Sequence, residues 1–64
     1  MNGTLWKNSR TGKVYKVRFL ATHTETKEDM VVYALKDDAT TFYVRPLENW
    51  HGENRDGNKR FVPV

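Results

Sequence analysis

The sequence predicts a mainly β domain, a small five-stranded SH3-like barrel with one short helical turn before the last strand. Three observations lead there. Apolar and polar residues alternate over short runs, the period of a strand with one buried face. Turn-forming residues separate these runs at short intervals. The chain has only 64 residues, which suits a small twisted barrel better than a sandwich. An OB-type barrel is the alternative, but its strands are normally longer.

Thr4-Leu5-Trp6-Lys7 reads as a short first strand after a frayed Asn2-Gly3. Asn8 to Lys13 is a turn in which Gly12 is free to take a positive φ. Val14 to Thr22 is the clearest strand. Tyr15, Val17, Phe19 and Ala21 share one face, expected to be the core face, while Lys16, Arg18 and Thr22 share the other, with Leu20 the exception. A polar connection follows. Its pairs Thr22/Glu25 and Thr26/Asp29 have capping-box spacing, which predicts a tight turn or single helical turn whose N–H groups are held by threonine side chains.

Met30 to Leu35 is apolar, rich in β-branched residues and too short for an ordinary helix, so it reads as a central strand apolar on both faces. Lys36 to Thr40 is a hairpin loop. Thr41 to Arg45 is the next strand, with Phe42 and Val44 on one face and Tyr43 and Arg45 on the other. Pro46 ends it, having no N–H to give a ladder. Leu47 to His51 predicts one helical turn with Leu47 and Trp50 on a shared face. Asp56-Gly57 marks a tight turn. Arg60 to Val64 is a closing strand that Pro63 restricts to an edge.

Composition narrows the function classes. Residues 1–64 make one small domain, which buries only about 60% of the surface its unfolded chain exposes. There is no cysteine, which excludes a disulfide framework, a thiolate zinc site and a cysteine nucleophile. So small a chain without such staples is expected in a reducing cytoplasm. No apolar run approaches the roughly 20 residues that span a bilayer, and no signal peptide is expected. The net charge of +3 is unevenly placed. Residues 1–18 carry Lys7, Arg10, Lys13, Lys16 and Arg18 with no acid, whereas residues 33–64 are balanced. An acid-free basic stretch attracts anionic partners; lysines on short outer strands also guard sheet edges.

The candidate chemistry sits in few places. His23, Glu25 and Glu28 offer one nitrogen and two carboxylates, short of the usual zinc set, and His51 is distant in sequence. Within the turn, His23 is expected to donate to a backbone carbonyl and the two glutamates to cap or pair. Ser9 is the only serine and has no base or acid beside it, so no nucleophilic triad is expected. No cofactor and no catalysis are expected in a chain with so little room for an enclosing pocket.

Arg45 is different. It stands on a strand, beside Pro46 and on the face of Tyr43, where a planar guanidinium grips phosphate or carboxylate with two parallel bonds. Its partner is either internal, Glu25 or Glu28, or an external anion with Tyr33, Tyr43, Trp6 or Trp50 as stacking surface. Trp50 is expected mainly in the core, beneath the last strand.

The runs Gly12-Lys13-Val14-Tyr15-Lys16-Val17, His23-Thr24-Glu25-Thr26-Lys27-Glu28, Val31-Val32-Tyr33, Val44-Arg45-Pro46-Leu47-Glu48, Asp56-Gly57 and Arg60-Phe61 follow one another in order. With them the chain resembles the bacterial and phage family called domain of unknown function 1653, from about Gly12 to Val64. The resemblance implies a compact β-barrel and no particular activity. Four positions depart from the family's usual pattern. Asn8 and Ser9 stand where a histidine is usual, Tyr43 where tryptophan is frequent, Asn49-Trp50 where Met-Phe is common, and Lys59 where proline is common. The missing histidine weakens any two-histidine metal site.

The function expected is therefore a non-catalytic binding module for an anionic ligand, nucleic acid or nucleotide. Its site residues are expected to be Arg45, Tyr43, Tyr33, His23, Glu25, Glu28, Lys16 and Arg18. The first alternative is a protein-interaction domain with an aromatic groove of Tyr43, Tyr33 and Trp50, including a phage or mobile-element inhibitor of a host protein. The second is a small metal-dependent enzyme around His23.

Overall fold

The period-two segments become strands wherever a neighbour covers one face. The computed structural model describes residues 1–64. Its strands are β1 (Leu5–Asn8), β2 (Val14–Thr22), β3 (Asp29–Leu35), β4 (Tyr43–Pro46) and β5 (Phe61–Pro63), with one helical turn, α1 (Leu47–Trp50), directly after β4. All pairings are antiparallel, and the order across the sheet is β4-β3-β2-β1-β5. The mainly β class, the five strands and the helical turn before the last strand are as the sequence predicts. β4 and β5 remain the two edges, so hydrogen bonding does not close the sheet into a barrel. Each edge strand contains a proline, Pro46 or Pro63, a residue that sheets tolerate at their edges. No helix is long and apolar enough to cross a membrane.

Register decides the faces. Tyr15, Val17 and Tyr33 lie on the front of the sheet, where Val17 opposes Tyr33 and Tyr43 opposes Tyr33 from the other side. Lys16 opposes Ala34 on the reverse. The predicted core face of β2 holds only as far as Val17. The register shifts between Val17 and Phe19, leaving Arg18 as an extra residue in a bulge. Beyond it the alternation inverts. Phe19 opposes Val32 on the reverse face and is 50% exposed, while Leu20 takes the face of Val31. A bulge depends on how two strands match, so the period within one strand does not reveal it. β3 is the central strand foreseen: Val31, Tyr33 and Ala34 are three of the six buried residues.

The polar connection is a tight turn without a helical turn, and its main cap is not a threonine. The His23 ring nitrogen Nδ1 accepts from the N–H groups of Glu25 (3.2 Å) and Thr26 (3.3 Å), and Lys27 N–H donates to the His23 carbonyl. His23 thus accepts with its ring where donation to a carbonyl was expected. Thr26 Oγ1 accepts from Glu28 N–H and donates to the Glu28 carboxylate at 2.9 Å. Lys27 closes the turn at φ 63°, a left-handed conformation uncommon for a side chain of its length.

The core is aromatic. Pro46 leads the chain out of β4 in an extended conformation, and the single turn of α1 then lays Leu47 and Trp50 on the front face. The Trp50 and Phe61 rings stack nearly parallel, 3.8 Å apart at 4°. Tyr33 meets Trp50 edge-on at 4.9 Å, Tyr15 at 5.3 Å and Phe61 at 5.8 Å. A chain this short has few core positions, and aromatic side chains bury the most area in each, about 150–250 Å². At about 25 cal/mol per Å² that is roughly 4–6 kcal/mol for Trp50. The opposing term is its indole Nε1, which is buried without a partner and costs about 1–3 kcal/mol.

Trp50→Ala is therefore expected to remove about 3–5 kcal/mol, at least about a third of the roughly 3–10 kcal/mol a domain of this length holds. Trp50→Phe keeps a stacked ring and removes the stranded N–H, so its cost is expected to be less than half as large. Urea unfolding followed by circular dichroism measures both. A cooperative transition at the wild-type midpoint in Trp50→Ala would contradict the assignment of this stack as the centre of the core.

Candidate functional site

Two loops and one strand meet at the β1–β5 end of the front face. Asn8 begins the first loop: its Oδ1 accepts from Arg10 N–H (2.9 Å) and Thr11 N–H (3.1 Å), and its carbonyl accepts from Gly12 N–H. Asn54 begins the second in the same way, with Oδ1 accepting from Asp56 N–H (2.9 Å) and Asn58 N–H (3.2 Å) and its carbonyl accepting from Gly57 N–H. These are turns in which a short amide side chain replaces a backbone acceptor. Gly12 (φ 78°) and Gly57 (φ 80°) supply the left-handed residue each loop needs. Both loops hold an arginine outward, Arg10 in one and Arg55 in the other.

The loops are joined. Ser9 N–H donates to the Arg60 carbonyl at 3.0 Å, and Ser9 Oγ donates to the Lys59 carbonyl at 2.5 Å while accepting from Asn54 Nδ2 at 3.2 Å. Arg60 is fixed in turn, its Nη2 donating to the Glu53 carbonyl at 3.0 Å. The only serine, which has no catalytic neighbours in sequence, is the bridge between two turns.

Arg45 comes from the far strand. β4 pairs with β3 so that Arg45 opposes Val31, which places Tyr33 two residues along the neighbouring strand on the same face. Arg45 Nε donates to Tyr33 Oη at 3.0 Å and Nη1 donates to Asn49 Oδ1 at 2.9 Å. The guanidinium lies 5.1 Å from the centre of the Phe61 ring and 5.7 Å from that of Tyr33. The internal partner proposed for Arg45, Glu25 or Glu28, is not used. Glu28 is engaged by Thr26 in its own turn, and both partners of Arg45 are neutral. A guanidinium has five N–H donors; two are used, which leaves three for another acceptor.

Together these segments line a cleft of about 540 Å³ with Asn8, Arg10, Thr11, Arg45, Asn54, Arg55 and Arg60. Four of the seven are arginines and none is a carboxylate. Planar guanidinium forks can give paired hydrogen bonds to an oxyanion, and the amides and hydroxyls beside them can give single ones.

The residues expected to act together are divided among several places. Arg45 and Tyr33 are in contact, and Tyr43 lies against Tyr33 with ring centres 5.7 Å apart. Lys16 is on the reverse face, and Arg18 lies in the bulge with its guanidinium 5.9 Å from the Phe42 ring. His23 and Glu25 shape their own turn. Glu28 borders a separate hollow with Asp29, Leu47, Glu48 and His51. No three His, Cys, Asp or Glu residues are grouped to hold a metal ion. Trp50 and Tyr33 are buried, so the aromatic groove expected for peptides is filled by the core itself. Arg10, Arg55 and Arg60 were not singled out as site residues. Arg10 and Arg55 carry a local signal, an asparagine followed by an arginine and then a glycine in each of two turns, whereas Arg60 follows the second turn and carries none.

The front-face hydroxyls share one electrostatic environment. Burial holds the pKa of Tyr15 above the ordinary tyrosine value, the neighbouring Tyr33 and Tyr43 hydroxyls push the same way, and the Arg45 guanidinium pulls it down. A raised folded-state value means that the folded chain keeps the proton longer than the unfolded one. The associated stability is complete below about pH 10 and is lost as pH rises through the folded value. Tyr15→Phe is expected to show a smaller alkaline loss than the wild type when urea midpoints are compared at about pH 8 and about pH 11. An identical loss in both proteins would contradict this assignment.

Comparison with curated proteins and with solved structures gives no match. A family profile matches residues 11–63, a stretch that includes Thr11, Arg45, Asn54, Arg55 and Arg60 of the cleft. The chain belongs to the family described as Protein of unknown function (DUF1653).

Proposed function

We propose that the chain is a non-catalytic binding module that holds an anionic ligand, nucleic acid or nucleotide, in the arginine cleft. The observation that carries this is the cleft's charge: four arginines line one hollow with no carboxylate among them. Arg45, the innermost in the sense that aromatic rings back it, is held by a phenol and an amide. An arginine bound to carboxylate has its charge balanced within the fold; one bound to neutral acceptors does not. The acid-free first third of the chain contributes Arg10, and the exposed Tyr43 offers a ring on the same face as Arg45. Stacking on such a ring is worth roughly 1–3 kcal/mol per base in single-strand binders.

A protein-interaction role is supported by a different surface. On the reverse face Phe19 opposes Val32 and Val32 opposes Val44, and Phe19, Phe42 and Val44 are 50%, 54% and 58% exposed. That surface is apolar, so binding there is expected to resist salt, whereas binding in the cleft is expected to weaken with it.

Titration with nucleotides and short oligonucleotides across a range of salt tests the first role. Binding in the cleft is expected to be saturable at low salt, with log affinity falling linearly against log salt by about 0.7 per phosphate neutralised on a single strand. Absence of binding to every nucleotide and oligonucleotide at low salt, or an affinity indifferent to salt, would overturn it.

A further inference from the structure

We propose that the cleft receives the terminal phosphate of a nucleotide and does not track the interior of a nucleic-acid backbone. The ligand class is a nucleoside carrying a terminal phosphate group, either a free nucleoside di- or triphosphate or the phosphorylated end of a strand. The proposal rests on the anion-binding role above and narrows it.

Charge density comes first. An interior phosphodiester carries one negative charge and passes the next one on along the strand. A terminal phosphate carries about −1.5 to −2 near neutral pH, with three strong acceptor oxygens, and the adjoining phosphates of a di- or triphosphate add charge in the same small space. Arg10, Arg45, Arg55 and Arg60 converge on about 540 Å³, within the usual size of a small-molecule site. They come from three segments of the chain, which suits an end group with several acceptor oxygens.

The frame comes second. The two loops that carry Arg10 and Arg55 are tied to each other through Ser9, which bonds both the Lys59 carbonyl and the Asn54 side chain. A compact end group is gripped by two arginines joined in this way.

The third observation places the rest of the ligand. Tyr43 and Arg45 are two residues apart on β4 and share a face, about 7 Å along the strand. Tyr43 is 43% exposed, and Arg45 keeps three N–H donors after its two internal bonds. A base on Tyr43 therefore lies within one nucleotide's reach of phosphates held by Arg45. Two other hollows share Glu28 and Glu48 and are less suited to the same ligand; Arg60 borders one of them as well as the cleft.

Calorimetric titration at one fixed low ionic strength, using four probes, tests this. The probes are a nucleoside triphosphate, its unphosphorylated nucleoside, a hexanucleotide with a terminal phosphate, and the same hexanucleotide without it. At least one phosphorylated probe is expected to bind about tenfold tighter or more than its counterpart, as charge-assisted bonds to one extra group require. The arm that shows the gain identifies free nucleotide or strand end as the source. Arg10→Ala and Arg55→Ala, both at exposed loop positions, are each expected to remove most of that gain, and Lys16→Ala on the reverse face to leave it intact. If both hexanucleotides bind equally and the triphosphate binds no better than the nucleoside, this inference is overturned while anion binding stands. If no probe binds, both are overturned.

Discussion

The hydrogen bond from Arg45 Nε to the Tyr33 hydroxyl joins the core of the protein to its cleft. Tyr33 is 6% exposed, and its ring is backed by Trp50, Phe61 and Tyr15. Its hydroxyl accepts from Arg45, which also lines the cleft. A bond from a charged donor to a neutral acceptor is worth about 1.5–3 kcal/mol, and the stacking of the guanidinium over aromatic rings adds about 0.5–2 kcal/mol. Together they hold the charge in one orientation without cancelling it. A carboxylate in the place of Tyr33 or Asn49 would hold Arg45 as firmly and remove its attraction for an anion.

The rest of the cleft follows the same logic. Arg10 and Arg55 stand on turns closed by asparagine side chains and left-handed glycines, and Ser9 ties those turns together. The bonds that close these turns and hold Arg45 are all made by neutral polar groups. Gathering like charges opposes folding of the free protein, and an anion that binds only the folded state returns that stability in proportion to RT ln(1 + [L]/Kd). The aromatic core is what allows a chain of 64 residues to carry this load.

Much of the fold is legible in the residues. Period-two alternation gives β2, the apolar β-branched run gives β3, Pro46 stops β4, and the three-residue spacing of Leu47 and Trp50 gives the helical turn that buries Trp50 and packs Leu47 against the core. What is not legible depends on pairing between distant segments. The bulge at Arg18 arises from how β2 matches β3, and it alone turns Phe19 outward. The choice of Tyr33 over Glu25 or Glu28 as the partner of Arg45 follows from the β3–β4 register. The cleft requires β1 to pair with β5, which sets Asn8 opposite Phe61 and brings residues some fifty positions apart into contact. Arg45 is conspicuous in the sequence because it lies on a strand; Arg10, Arg55 and Arg60 look like ordinary loop charges until that pairing is known.

The arginine cleft, as the proposed anion site, is open to a direct test. The most direct measurement is an amide shift map of the ¹⁵N-labelled protein titrated with pyrophosphate, a probe with charge and no base. The predicted result is a saturable set of shifts confined to Asn8–Thr11, Arg45 and Asn54–Arg60, with Lys16, Arg18 and the His23–Glu28 turn unmoved. Shifts centred on Lys16 and Arg18, or no saturable shift at low salt, would contradict it.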